Sequence, residues 1–360
     1  MIGQILDLAR WAPSGDNTQP WRFEIISDRH LLVHGSDTRR KVVYDLRGHA
    51  SQLAIGVLLE HISIAASAYA LSAEISYRDP LNAVPDEHPA FDVHFSDDSS
   101  IVPDPLLPFI KTRSVNRRAL GTDPLTPEEK DAITRDLGSQ GLRYRVIWLE
   151  GLSRRISMAR IVQNSGKLRL TIPEAYEVHR HVIEWNARYS EDRIPDQALG
   201  LSSSVLPLMR WVMGSWARVA FFNRFLGGTL IPRVQLDILP ALFCSAHFLL
   251  VAPTAPKTLM DYVEAGRVLG RFWLGVARQG LQFQPEMTPL IFRSYVHDAI
   301  AFSQAPGSME SANRIASSLD HLVGAENAEK AVFLGRIGRG LPHRSRSLRL
   351  PVNTLLRPLR

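Results

Sequence analysis

The sequence predicts an α+β fold in two halves. Three observations carry that reading. Strand patterns come as neighbouring pairs, Trp21 to Ile26 with His30 to His34 about a Ser27-Asp28-Arg29 turn. Long apolar-striped helical patterns stand apart from these strands. A proline-rich break near residue 100 separates a first half, 1–100, from a second, 101–360. With 360 residues, 45% hydrophobic and 22% charged, the chain has an ordinary globular composition and length for two domain-sized halves.

In the first half, Ile5, Leu8, Ala9 and Ala12 fall on one helical stripe that Pro13 ends. A helix from about Arg47 to Leu71 carries Ala54, Val57, Leu58, His61, Ile62, Ala65 and Ala66 as a wide apolar stripe, which marks a core helix. Strands are expected near Ala73 to Tyr77 and Phe91 to Phe95. The stretch Ser96 to Pro108 holds turn residues and three prolines and cannot support regular structure, so the boundary is placed there.

In the second half, Thr126-Pro-Glu-Glu129 supplies an N-cap, an N1 proline and a capping-box acid in succession and opens a helix to about Leu137. Leu142 to Leu149 alternates as a strand. Residues 151 to 226 are helical in pattern, broken at Pro173, Pro195 and Pro207, and form an insertion to about 235 that packs on the core, supplies a lid at 190–235 or offers a partner surface. Ala241 to Val251 reads as a buried strand and Lys257 to Gln279 as a second core helix. No short-period repeat is present, so any relation between the halves must be structural.

Cys244 is the only cysteine, which excludes an intramolecular disulfide and a cysteine metal cage and suits a reducing cytoplasm. The N-terminus has no signal-peptide pattern, and arginines interrupt the apolar stretch Leu206 to Leu226, so no secretion, no membrane span and no membrane partner are expected. The net charge of +6 is concentrated, with seven arginines and no acid from Arg336 to Arg360. That segment lacks the aromatic interleaving of a nucleic-acid stacking surface, and anion anchoring explains it more simply than nucleic acid does.

Residues 12 to 23, Ala-Pro-Ser-Gly-Asp-Asn-Thr-Gln-Pro-Trp-Arg-Phe, are the most informative segment. Two prolines and a glycine stiffen a helix-to-strand corner. Asn17 and Gln19 each carry a donor and an acceptor suited to the edge of a flat heterocycle, and Trp21 can supply an apolar wall.

The series Pro13-Ser14-x-x-Asn17-x-Gln19-Pro20-Trp21 resembles the P-S-x-x-N-x-Q-P-W signature of the nitroreductase superfamily. Ala265 to Pro285 is similar to that family's core helix and following Gly-Leu turn. Phe333 to Gly338 and Arg349 to Val352 are similar to its final strand and phosphate-side arginine segment. The order departs from the usual one, since Arg113-Ser-Val-Asn-Arg117, similar to the phosphate-gripping R-x-S-x-R, follows the loop instead of preceding it. That order resembles the Acg-type proteins, in which two nitroreductase-like halves, each with a central, mainly antiparallel sheet flanked by helices, are fused and imitate the family homodimer.

The resemblance implies FMN as cofactor and NADH or NADPH as reductant, with a nitro, quinone or other conjugated acceptor reduced in ping-pong fashion through flavin N5. It implies contacts from Pro13, Ser14, Asn17, Gln19, Pro20 and Trp21, and phosphate-side contacts from Arg113, Ser114, Asn116, Arg117 and Arg349. Arg336 and Arg339 join these as second-half candidates. Arg113 and Arg117, four apart, are expected on one face of a helical turn. Val115 stands where the family has a hydroxyl, so Ser114 or Asn116 would substitute. No catalytic side chain is nominated, because the chemistry belongs to the flavin. Two alternatives are a flavin store with a covered ring and a biosynthetic dehydrogenase working with a ThiF-like partner. The fused unit is expected as a monomeric pseudo-dimer or a homodimer. Glu177, His181 and Glu184 share a helical spacing but lack a matching E-x-x-H helix, so no metal is expected.

Overall fold

In the computed structural model, which describes residues 1–78, 86–138 and 144–357, the chain lays down one arrangement of elements twice. The first runs α1 (Ile2–Ala9), β1 (Trp21–Ser27), β2 (His30–Gly35), α2 (His49–Ser67), β3 (Leu71–Arg78) and β4 (Ala90–Asp97). The second begins with α3 (Pro127–Thr134) and β5 (Arg145–Leu149). It is interrupted by α4 (Gly151–Thr171), α5 (Pro173–Val182), the two-residue strands β6 (Ile183–Glu184), β7 (Tyr189–Ser190) and β8 (Ile194–Pro195), and the short helices α6 (Leu206–Val212), α7 (Trp216–Phe225), α8 (Leu230–Arg233) and α9 (Leu239–Leu242). It resumes with β9 (Ala246–Val251), α10 (Leu259–Arg278) and β10 (Gln282–Pro285). After α11 (Thr288–His297), α12 (Ser308–Val323) and α13 (Ala325–Glu329) come β11 (Ala331–Gly338), β12 (Arg346–Ser347) and α14 (Val352–Leu355).

The two four-stranded sheets have the same topology. One is ordered β1-β2-β4-β3 and the other β5-β9-β11-β10, every pair is antiparallel, and each core helix enters after the second strand. What differs is connection length. The β1–β2 hairpin turns within two residues, whereas β5 and β9 are separated by the whole helical insertion.

Helices α2 and α10 cross at two glycines. A Cβ on Gly56 would lie 2.0 Å from the Val263 carbonyl oxygen, and one on Gly266 would lie 2.1 Å from that of Leu53. At the same crossing, Glu60 of α2 is 1% exposed and bonded by Arg267 at 3.0 Å and Arg271 at 2.9 Å, both from α10. The carboxylate is tolerated inside because guanidinium donors satisfy it. Around the crossing, α1, the inner faces of both sheets and α10 share one apolar core, in which the Phe248 ring contacts those of Phe272, Phe283 and Phe333. Complete burial of each such ring is worth about 1.5–3 kcal/mol.

Local signals explain the boundaries. Thr126 and Glu129 form the expected reciprocal capping box of α3. Gly48, with φ of 77°, turns the chain into α2, whose first turn is held by Asp45 through the amide of Ala50 and the hydroxyl of Ser51. Of the expected strand 142–149, residues 142 and 143 lie outside the described residues; residues 358–360 of the basic tail also lie outside. The expected strand 241–251 is shorter, because Pro240 opens the helical turn of α9 instead. Val182 ends α5, so Glu184 sits on β6 and does not share a helix face with Glu177 and His181.

Candidate functional site

A cavity of about 470 Å³ opens where the loop after α1, the start of α2, the segment 113–117 and the C-terminal arm meet the insertion. Small-molecule sites span roughly 300–1,000 Å³, so it can take a nucleotide-sized ligand.

Pro13, Ser14, Asp16 and Asn17 line one wall. The loop carries three non-glycine residues in left-handed backbone, Asp16 at φ 49°, Asn17 at 64° and Gln19 at 47°. Such conformations cost of order 1–3 kcal/mol each and persist only where the surroundings hold them. Here Ser14 Oγ accepts from the Gln19 amide at 2.9 Å. The two side-chain amides are directed at the insertion: Asn17 Nδ2 donates to the carbonyls of Glu191 and Arg193, and Gln19 Nε2 donates to that of Glu191 at 2.8 Å. Gln19 Oε1 accepts from Leu350. Of the two side-chain amides, Asn17 Oδ1 is left buried without a partner among the described residues.

This corrects the expectation that both amides present a free donor and acceptor to a ring. Gln19, Pro20 and Trp21 do not line the cavity. Trp21 is 1% exposed at the start of β1 and belongs to the core, so these residues shape the corner rather than its wall.

Arg113 and Arg117 serve different ends of the cavity. The helical turn expected for them is absent: Val115 bridges Phe283 of β10 and the Asn116 amide donates to the Phe283 carbonyl, which stretches the segment. Extended residues rise about 3.3 Å each, so positions four apart are separated by about 13 Å.

At one end, Arg113 is 4% exposed and lies 4.5 Å from the centre of the Trp273 ring, with Nη2 donating to the Trp11 carbonyl. Arg346 donates to the carbonyls of Lys111 and Arg113 and stacks over Trp11. Arg349 donates to the carbonyls of Ala12 and Leu348. Burial lowers the pKa of all three, Arg349 to about 9; Arg113 is lowered further by Arg349 and Arg346, and Arg349 by Arg346 and Arg10. Among the described residues no carboxylate forms an ion pair with any of the three. Because guanidinium does not lose its proton in proteins, such a cluster is an unmet demand for an anion. Buried Nε atoms of Arg113 and Arg346 lack partners, which is the donor pattern a phosphate accepts.

At the other end, Arg117 faces Asp16 and Arg169. Burial lowers Arg117 to about 10 and raises the Asp16 carboxyl, which the two arginines partly restrain. Arg169 pairs with Asp237 at 3.3 Å. Tyr44 and His179 share a hydrogen bond of 3.1 Å; burial, then Arg169, depresses His179 to about 3 and keeps it neutral. Below this end, burial disfavours charge on His247, yet the Glu286 carboxylate at 2.7 Å, with Cys244, raises the imidazole to about 10. Glu286 also faces Arg336 Nε at 3.5 Å.

Two further expected residues fall outside the cavity. Asn116 is fully engaged, donating to Gln282 and the Leu341 carbonyl while accepting from the Arg118 amide. Arg339 is paired with Glu129 at 2.6 Å and buttresses the capping box of α3. Ser114 and Arg336 do line it, Arg336 being anchored on the Arg118 carbonyl at 2.9 Å. Sequence reasoning missed Arg346, Arg169, Tyr44 and His179. Only Arg346 carried a signal, as one of the seven arginines of the basic tail.

Residues 1–69 match the model of the Nitroreductase family, a span that covers α1, the strained loop, the β1–β2 hairpin and α2. No curated protein matches the chain. Among solved structures, the chain is similar to an FMN-dependent nitroreductase, NfnB from Mycobacterium smegmatis, solved in complex with NADPH. The identity is 18%, over 70% of this chain and 96% of that one, with a TM-score of 0.36.

Proposed function

We propose that the chain is an FMN-binding oxidoreductase that uses NADH or NADPH to reduce a nitro, quinone or other conjugated acceptor. The observation that carries the reading is the carboxylate-free cluster of Arg113, Arg346 and Arg349 at one end of a cavity walled by the strained Pro13–Gln19 loop. That loop lies within the residues that match the Nitroreductase family.

The residues present fit the cofactor. The three guanidiniums would hold its phosphate by charge-assisted hydrogen bonds. Asn17 Oδ1 is a buried acceptor without a partner and would take a ring N–H donor. Bound FMN would supply two-electron transfer between a nicotinamide nucleotide and the acceptor. Arg117, with Tyr44 as a neutral hydroxyl donor, would orient the second ligand at the opposite end, while Ile194 and Leu199 of the insertion exclude water. The repeated sheet topology supports a fused unit in which one polypeptide does what a family homodimer does.

A second reading is a flavin store. The bonds from Asn17 and Gln19 to the carbonyls of Glu191 and Arg193 favour it, because they tie the insertion across the cavity as a cover. Anaerobic NADH and NADPH titrations of the FMN-loaded protein separate the two. An oxidoreductase bleaches the flavin bands and recovers them on adding a quinone, whereas a store stays yellow.

A further inference from the structure

The insertion turns its apolar side outward. Of eighteen large hydrophobic residues exposed among the described residues, nine fall within residues 208–243. Phe225 and Leu230 are 63% and 60% exposed, and Leu208, Trp211, Phe221 and Ile231 about half. On α7 the exposed face is Ala217, Arg218, Phe221, Arg224 and Phe225, at helical spacing, so the side a surface helix normally gives to polar residues is here aromatic and basic. A contiguous exposed apolar patch marks an interaction site.

The charges select the partner. Residues 197–236 contain four arginines, Arg210, Arg218, Arg224 and Arg233, and no aspartate or glutamate. Arg218 lies 4.5 Å from the centre of the Trp211 ring and Arg224 is over Phe225, so cations and apolar rings share one face. A second copy docked about a twofold axis would set this positive face against itself, and like charges across an interface oppose association.

We infer that α6, α7 and α8 form a docking face for an anionic lipid surface. Phe221, Phe225, Trp211 and Leu230 enter the headgroup boundary while the arginines remain at the phosphates. This is attachment to one leaflet, not a span: the helix apolar enough to cross a membrane by composition, His49–Ser67, is 89% buried in the core. The docking face continues through residues 234–238 to Leu236 and Asp237 in the cavity wall, which would set the cavity beside the lipid.

The test is flotation of the full-length chain with vesicles of phosphatidylcholine alone or mixed with phosphatidylglycerol. The expected result is flotation with the anionic vesicles, little with phosphatidylcholine, weakening at high salt, and at least a tenfold loss of binding in Phe221→Asp/Phe225→Asp with an unchanged melting curve. Neither Phe221 nor Phe225 lines the cavity, so FMN binding should be retained. Failure to float with anionic vesicles, or undiminished binding by the folded double variant, overturns the inference. A solution dimer dissolved by the same double variant also overturns it and assigns the face to a second copy.

Discussion

Gly56 and Gly266 occupy reciprocal positions at the crossing of the two core helices. Each glycine faces the carbonyl of the residue three positions before the other, Val263 and Leu53. The two contacts at the crossing are therefore reciprocal. A methyl group on either glycine meets backbone, which cannot rotate away. Gly56→Ala and Gly266→Ala are each expected to cost about 3 kcal/mol, the upper range for overpacking, read as a lower urea midpoint at unchanged slope.

The arginines should divide sharply. Arg349→Ala removes a buried charge from the carboxylate-free cluster and is expected to weaken FMN binding by 1.5–3 kcal/mol, roughly 10- to 150-fold. Arg339→Ala removes the pair with Glu129 and the bonds to the Asp123 and Pro124 carbonyls, all outside the cavity, and should leave FMN affinity unchanged. Flavin fluorescence quenching measures both, and equal effects would remove the phosphate assignment.

Loosening the cover is the next expectation. Gln19→Ala deprives the Glu191 carbonyl of a 2.8 Å donor and the Leu350 amide of its acceptor. The cover should be destabilised by about 1–3 kcal/mol, seen as faster amide exchange around residues 189–195 with the global melt little changed.

The pH dependence of stability has two sides. His179, at about 3 when folded against 6.5 as the ordinary value, takes up a proton more readily unfolded, so stability falls as pH drops below 6.5. His49, depressed to about 4 by burial and Arg47, acts in the same direction. Asp16, Asp45 and Asp237, whose carboxyls burial raises, Asp237 to about 6, offset this below pH 6. His247, at about 10, holds its proton in the folded state; its contribution is complete below 6.5 and is lost as pH rises to 10, at up to about 1.4 kcal/mol per pH unit. His179→Gln should flatten the acid side and His247→Gln the alkaline side of a denaturation series.

The sequence disclosed what depends on local pattern. The Thr126–Glu129 box, the two core helices and the β1–β2 hairpin follow from capping chemistry and periodicity alone. It could not disclose partners far along the chain. The four-residue spacing of Arg113 and Arg117 suits a helix equally well, and only Phe283, brought alongside by the fold, stretches it. Seven arginines in the tail look alike until Glu129 claims Arg339 and Trp11 receives Arg346. Asn17 and Gln19 were identifiable as important, but their carbonyl partners come from an insertion without a recognisable motif.

An equilibrium FMN titration of the purified chain followed by gel filtration, with riboflavin in parallel, tests whether the cluster of Arg113, Arg346 and Arg349 holds a flavin phosphate. The expected result is stoichiometric FMN that stays with the protein and riboflavin that binds at least about tenfold more weakly, because it lacks the phosphate. FMN lost on the column, or riboflavin bound equally well, would contradict it.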